Sequence, residues 1–513
     1  MKKFLFIGIF ISSIIFSCSS DDQPQPNPES EPEPEVELSS QNNITELVLE
    51  NNGIDYLTSI SSTNITINND LPYGTEEMTI KSLKVSEKAE ANITAGETKN
   101  LSNGSFEIIV TAENNESKKY IVTATFEERT FNVTVFDPVT VSKTYNTPTY
   151  AHYMPWFESP EYAEFPQTDK GNWGLHWTMA NKNPLNIDAN GKREIASHYY
   201  PLIGPYDNGE PDYLEYAVVC MKLSGLDGIL IDNPGITDVY DGRLLQDHTD
   251  AIIPWLEKAG LQYALVYEDS ALKNAEEQGI ISNRVQEAKR VIAHMETNYF
   301  SSNSYIKVDN KPLLLNFGPQ AIFTEAEWLD VFSGLSEKPI FIPLPYRNLG
   351  AAAEGEFGWV DESINNNFYQ RCIDVNLDVC IGGAMPGFDD YYQEGGWGNG
   401  FTFYDDRNGQ LFKESLDRAK LNDITMLQII TWNDWGEGTI IEPSEEFGYD
   451  RLTVLQEFLG VSYTENDVSL AVDLYQKRKE YKDDSYANQV MDQVFYYLIS
   501  LQIEKARDLL KQL

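Results

Sequence analysis

The stretch Ile424-Thr425-Met426-Leu427-Gln428-Ile429-Ile430-Thr431-Trp432-Asn433-Asp434-Trp435-Gly436-Glu437-Gly438 passes from an apolar segment straight into acids, aromatics and glycines. Such a segment reads as a buried strand that delivers a chemical site at its C-terminal end. The pattern recurs upstream, where strand-like runs at 149–155, 227–232, 262–268, 312–316, 339–343, 356–360 and 379–384 alternate with helix-like segments at 212–223, 249–259, 284–297, 325–335 and 412–421. This alternation predicts an α/β domain, a parallel sheet with helical crossovers. Eight strands in a domain of roughly 300 residues fit a (β/α)8 TIM barrel, whose usual size is about 250 residues before insertions.

In a barrel, chemistry belongs at the C-terminal ends of the strands. The endings here are His152-Tyr153-Met154-Pro155-Trp156, Asp232-Asn233, Glu268-Asp269, Asn316 and Trp432-Asn433-Asp434. A helix N-cap alone would account for Asn316 or Asp269, but recurrence at so many strand ends points to a site. Asp434 and Glu437 stand at i and i+3, which face opposite ways on a strand and share a face only in a helical turn. The chain must therefore turn after Asn433, and Gly436 and Gly438 permit it. Two carboxylates flanking a glycosidic bond can divide the work, one ionised as base or nucleophile and the other, raised by burial, protonating the leaving oxygen. Trp432 and Trp435 would offer flat surfaces for sugar rings; the competing reading is an acidic helix start with both tryptophans in the core.

Histidine is scarce, and His152, His176 and His198 occur beside aromatics in Ala151-His152-Tyr153, Leu175-His176-Trp177 and Ser197-His198-Tyr199-Tyr200. None has the i, i+4 spacing of a helical metal motif, so no metal is expected. Hydrogen bonding to sugar hydroxyls suits these neighbours better, although His198 reads equally well as a core histidine. No P-loop, dinucleotide fingerprint or G-x-S-x-G elbow is present, and no cofactor is expected. The expected site has Glu437 and Asp434 as catalytic residues. Substrate would meet His152, Tyr153, Trp156, Trp173, His176, Trp177, His198, Tyr199, Asp232, Glu268, Asn316, Trp432, Asn433 and Trp435.

The rest of the chain divides by composition. Lys2-Lys3, an apolar run over 4–16 and Ser17-Cys18 read as a lipoprotein signal (1–17), with Cys18 as the lipid attachment point. The following Ser19-Ser20-Asp21-Asp22 resembles the export signal of surface lipoproteins of Bacteroidetes-type bacteria. The expected location is the cell surface or the periplasmic side of the outer membrane. Residues 18–40 form a Pro/Glu-rich tether with too little apolar surface to fold. Short alternating segments over 41–128 predict an all-β, immunoglobulin-like sandwich. Lacking an aromatic cluster, it reads as a spacer. A linker (129–148), the barrel (149–450) and a helical extension packed on it (451–513) complete the expected order.

A formal net charge of −42 disfavours nucleic acid and other polyanions as partners. The protein is expected to be monomeric. Besides Cys18 there are Cys220, Cys372 and Cys380, with no metal-type pairing. Cys220 reads as a core residue, and a Cys372–Cys380 disulfide would close only a short loop.

Trp432-Asn433-Asp434-Trp435-Gly436-Glu437 with Ala151-His152-Tyr153-Met154 resembles glycoside hydrolase family 71, the endo-α-1,3-glucanases. The same region, with Tyr153-Met154-Pro155-Trp156-Phe157 and Gly438-Thr439-Ile440-Ile441-Glu442-Pro443, also resembles family 99, the endo-α-mannosidases and endo-α-mannanases, and their relatives. The resemblance covers about residues 150–449. It implies an endo-acting enzyme cleaving an α-mannan or α-1,3-glucan, with Glu437 as general acid. Family 99 has glutamate at the position of Asp434, where it activates the sugar's own 2-hydroxyl. Family 71 has aspartate there, activating water with inversion. Asp434 follows the family 71 pattern, whereas Pro155-Trp156-Phe157 and Glu442-Pro443 follow family 99-like proteins, and both stereochemical outcomes stay open. The alternative from another class is a non-catalytic surface glycan-binding protein on a glycosidase-like barrel.

Overall fold

The computed structural model describes residues 37–162, 170–363 and 365–513. The signal segment, Cys18 and the tether up to residue 36 lie outside the described residues. The chain divides into two compact units, Met1–Glu128 and Arg129–Leu513.

The described part of the first unit is all-β. Its strands alternate as half-buried strands do: within Ser105–Thr111 and Ser117–Thr123, Ile108, Val110, Tyr120 and Val122 point into an apolar core while Ile109 and Ile121 face solvent. One path of eight strands runs through the unit. Ile54–Ser61 is shared between two sets of strands: Ile54–Leu57 pairs antiparallel with Ile44–Asn51, and Thr58–Ser61 pairs antiparallel with Asn64–Ile67, which in turn lies parallel to Ser117–Thr123.

The second unit is built on eight parallel strands: β1 (Thr149–Tyr153), β2 (Gly228–Asn233), β3 (Gln262–Tyr267), β4 (Lys311–Asn316), β5 (Ile340–Pro343), β6 (Gly355–Phe357), β7 (Val379–Ala384) and β8 (Met426–Ile429). They are nearly continuous runs of buried residues, the texture of a parallel sheet covered on both faces. Ladders join β5, β4, β3, β2, β1, β8, β7 and β6 in that order. The two ends of this curled sheet approach each other, and the Glu354 N–H donates to the Phe341 carbonyl at 3.1 Å.

Helices follow most strands: Pro211–Leu223, Gly242–Ala259, Arg284–Met295, Glu325–Phe332, Asn367–Val375 and Gln410–Lys420. Local chemistry marks their ends. Pro211 opens the first, where its missing N–H is no loss; Thr324 and Glu327 form a capping box; Gly260 closes its helix in the left-handed conformation. The strict (β/α)8 alternation fails at one place. Between β5 and β6, residues 344–354 hold only the 3-10 turn Gly350–Ala352. Those few residues must bring the chain back to the start of β6, which leaves no room for a helix.

Residues 129–148, expected as a linker, have no regular structure but are fastened to the C-terminal helices: Gln489 Oε1 accepts the Phe131 N–H and Gln493 Oε1 the Thr134 N–H, each at 2.6 Å. The extension comprises Asp450–Leu459, Glu465–Glu480, Ser485–Ile499 and Ile503–Leu510. It docks through a buried charge. Arg478 donates to both oxygens of Glu215, on helix Pro211–Leu223, at 3.0 and 2.8 Å, and to Asp492 at 2.7 Å. Cys372 and Cys380 form a disulfide, tying helix Asn367–Val375 to β7, and Cys220 is buried and free. Among the described residues, no helix is long and apolar enough to cross a membrane.

Glu215 is almost fully buried, so removing its partner leaves an uncompensated charge in the interior. Arg478→Ala is expected to lower stability by about 3–5 kcal/mol, measured as a fall in the denaturant midpoint.

Candidate active site

After β8 the chain leaves the sheet and turns within a few residues. Thr431 Oγ1 accepts the Asp434 N–H at 2.8 Å, and Asp434 Oδ1 accepts the Glu437 N–H at 3.0 Å. The second bond closes the turn that brings the two acids to one face. Gly438 has φ +69°, and a Cβ there would meet the Asp389 carbonyl oxygen at 2.8 Å, so only glycine fits. The β7 connection is held against this turn by Asp389 and Tyr391 N–H groups, which donate to the carbonyls of Glu437 (2.9 Å) and Gly436 (2.8 Å).

Asn433 joins this turn to the first strand. Its Oδ1 accepts the Met154 N–H at 2.8 Å, and its Nδ2 donates to the Met154 carbonyl at 2.9 Å. The Tyr206 hydroxyl accepts from Trp435 Nε1 at 3.0 Å and Asn433 Nδ2 at 3.3 Å, and donates to Glu442 Oε2 at 2.7 Å. Burial pushes the Glu442 carboxyl up to about 8, with the Tyr206 bond pulling the other way.

Above this frame lies a cavity of about 420 Å³ at the C-terminal ends of the strands, lined by His152, Met154, Trp156, His176, Asp232, Glu268, Phe317, Trp359, Tyr392, Trp397, Phe401, Asp434 and Glu437. A second cavity of about 400 Å³ shares Phe317, Trp359, Phe401 and Glu437 with the first and adds Val360, Asp361, Phe388, Thr402 and Tyr404. Glu437 therefore stands between the two, while Asp434 lines only the first.

The acids are strongly perturbed. Burial raises Glu437 to about 7, opposed by the Tyr392 hydroxyl, which donates to its Oε1 at 3.0 Å. Burial and then the Glu437 charge push Asp434 well up, while the backbone N–H groups of Glu437 and Gly436 favour its ionised form. Glu268 rises to about 7 through burial and the charges of Asp269, Asp241 and Glu437. Asp232 rises well above the carboxylate range through burial and Glu268, and its Oδ2 has no hydrogen-bond partner. Burial lowers His152 to about 4, so its ring is neutral at ordinary pH. With Nδ1 at 3.3 Å from Gln428 Oε1, an acceptor, the proton sits on Nδ1 and Nε2 is an acceptor. Trp156 stacks on His176 with centroids 4.2 Å apart and planes 8° apart. Among the described residues, no group of three or more histidines, cysteines or acids is arranged to hold a metal.

Of the residues anticipated at the site, His152, Trp156, His176, Asp232, Glu268, Asp434 and Glu437 meet in the first cavity. The others lie elsewhere. Trp432 and Trp435 are fully buried and cannot stack on a sugar; the turn after Asn433 directs the acids outward and both indoles into the core. Asn433 is spent on Met154 and Tyr206. Tyr153 is buried, its hydroxyl accepting from Asn208 Nδ2 at 2.7 Å. Trp177 is buried with Nε1 on the Tyr206 carbonyl at 2.8 Å, and Trp173 packs in the core beneath Arg193. Asn316 is buried, donating to the Tyr267 carbonyl at 2.8 Å. His198 and Tyr199 line a separate recess of about 570 Å³.

Met154, Phe317, Trp359, Tyr392, Trp397 and Phe401 were not anticipated. Phe317 directly follows β4, and Trp359 follows β6 after Gly358. The other three aromatics fall in the glycine-rich, aromatic-rich stretch 391–401, a texture that could have marked a binding loop.

No protein-family model and no curated protein matches the chain. Among solved structures it is similar to the GH99 endo-alpha-mannosidase from Bacteroides thetaiotaomicron, with 18% identity, a TM-score of 0.47, and 66% of this chain and 99% of that one covered. It is also similar to a glycoside hydrolase-like protein, with 15% identity, a TM-score of 0.42, and 65% and 98% covered. The alpha-L-fucosidase from Lactobacillus casei gives 11% identity, a TM-score of 0.31, and 56% and 92% covered.

The Tyr392 hydroxyl holds Glu437 below the value burial alone would set. Tyr392→Phe is therefore expected to move the Glu437 titration to higher pH, observed by carboxyl-resolved infrared or NMR titration.

Proposed function

We propose that the protein is a glycoside hydrolase that cleaves an α-linked polysaccharide, an α-mannan or an α-1,3-glucan, on a (β/α)8-type barrel. The observation that carries this reading is the position of Glu437 between two cavities, with Asp434 facing only one of them. A sugar in each cavity puts the bond joining them at Glu437, the position of a general acid. Asp434, below the sugar in the first cavity, is the base. The turn gives it backbone N–H donors that favour its charge, and the two acids repel each other, so the pair keeps a proton near neutral pH.

His152 Nε2, Asp232 and Glu268 supply acceptors for hydroxyl groups in that cavity, and Trp156, Trp359 and Trp397 supply apolar faces. The choice of α-glycan comes from the likeness of residues 432–443 and 151–157 to families 71 and 99. The sequence of residues 1–22 supports a lipid anchor on Cys18 and a place at the outer membrane. In this reading the first unit is a spacer and the protein acts as a monomer.

Glu437→Gln is expected to lower kcat on the responsive polysaccharide by about 10²–10⁴-fold. Unchanged cleavage would remove Glu437 as the acid. A wild-type protein that binds glycan without releasing reducing ends would be a binding protein. The general acid must be protonated, and burial raises Glu437 to about 7, so wild-type activity is expected to fall as pH rises through about 7. The anomeric configuration of fresh product, followed by NMR, separates the two roles of Asp434: inversion means a base acting on water, retention one acting on the sugar's 2-hydroxyl.

A further inference from the structure

We infer that Tyr346 is a stacking platform outside the two cavities, over which a neutral polysaccharide chain continues, so that the site favours polymer over short oligosaccharide. The inference rests on the glycan reading above.

Tyr346 lies in the connection after β5, at the same end of the barrel as the acids, and its residue is 56% exposed. Its φ is +65°, a left-handed conformation that a bulky residue adopts only when its surroundings hold it there. Three connected contacts do so. The Tyr346 N–H donates to Glu356 Oε1 at 3.2 Å, and the Arg371 guanidinium lies over the ring, 4.4 Å from its centroid. Arg371 is locked by two bonds of 2.6 Å to the buried Glu356 carboxylate. The helix carrying Arg371 is tied to β7 through Cys372 and Cys380.

A mostly exposed aromatic ring so firmly held is not there to fill a core. With one face backed by Arg371, it is pre-organised for a ligand, which spares the ordering that a mobile side chain would need. Its place in the barrel says which ligand. β5 pairs with β4 and approaches β6, and the residues after those neighbours, Phe317 and Trp359, wall both cavities. Tyr346 stands on the connection from β5 to β6. The preceding connection brings Phe323, 59% exposed, and Glu325 Oε1 joins the two connections by accepting the Ala351 N–H at 2.9 Å. Exposed aromatic rings at the same end of the barrel as an aromatic-walled cavity fit sugar rings. The guanidinium below is neutralised by Glu356, so the platform does not call for an anionic chain.

The test uses Tyr346→Gly and Tyr346→Phe in the full chain. Glycine suits the left-handed backbone, so a loss in that variant does not come from added strain. On soluble α-mannan or α-1,3-glucan, Tyr346→Gly is expected to raise KM about tenfold with kcat unchanged, while kcat/KM on an oligosaccharide short enough to fill only the two cavities stays at the wild-type value. Tyr346→Phe keeps the ring and is expected to behave as wild type. Equal losses on polymer and oligosaccharide, or no loss on polymer, would overturn the inference. Binding is also measured by affinity electrophoresis in the Glu437→Gln background, where no turnover is needed. Tyr346-dependent retention there, with no cleavage by the wild-type protein, removes the hydrolase reading and leaves the platform standing; retention indifferent to Tyr346 removes the platform.

Discussion

The side-chain amide of Asn433 bonds both backbone polar groups of Met154, and the active end of the barrel depends on that clasp. A buried amide has a fixed number of donors and acceptors, and each must be met. Asn433 spends its oxygen on the Met154 N–H and shares its nitrogen between the Met154 carbonyl and the Tyr206 hydroxyl. The first and last strands are thus held in register beyond the end of their ladder. Only then does the chain turn, through Thr431 and Asp434, to expose the two acids. Tyr206 extends the frame. Its hydroxyl already accepts from Asn433 and Trp435, so its own proton goes to Glu442. The proton held around Glu442 is therefore part of the scaffold under the site.

Above that frame the constraint is charge. Asp232, Glu268, Asp434 and Glu437 meet in one cavity, and among the described residues no lysine or arginine lines either cavity. Ionising all four would place like charges together in a poorly solvated space, so protons are retained and all four carboxyl groups titrate high. The same arrangement makes room for acid and base in one pair. It also sets the character of the guest: uncharged hydroxyl groups can donate to these oxygens, whereas a sulfated or uronic sugar would add to the repulsion.

Much of this was legible in the sequence, for a physical reason. Parallel strands buried on both faces are written as unbroken apolar runs, and polar residues can follow only where the strand opens to the rim, so Asp232, Glu268 and Asp434 could be read as strand ends. Periodicity cannot say which way a side chain points once the strand has ended. Trp432, Asn433 and Trp435 share the chemistry of sugar ligands, yet the turn sends them inward, where the same amide and indole groups act as struts. Trp359 follows the short β6, and Tyr392, Trp397 and Phe401 sit in a connection without helical or strand period, so no pattern pointed them at the cavity. The sequence shows no helix-like segment between the fifth and sixth strands, and the structure has only the 3-10 turn Gly350–Ala352 there; the complete (β/α)8 ring is expected from the number of strands, which does not count helices.

The two groups of aromatics divide the work of the barrel. Trp177 and Trp435 are fully buried around Tyr206, Trp432 is fully buried in the same core, and together they stiffen the floor on which Asp434 and Glu437 stand. Trp397, Phe401 and Tyr346 are exposed on connections, where loops tolerate change that a packed core does not. The acid pair is thereby tied to residues that cannot move without disturbing the core, and the exposed aromatics to residues that can. On the proposed glycosidase reading, substitutions among the connections would alter which glycan is held and over what length, while the geometry of the acid pair, fixed from below by Asn433, persists.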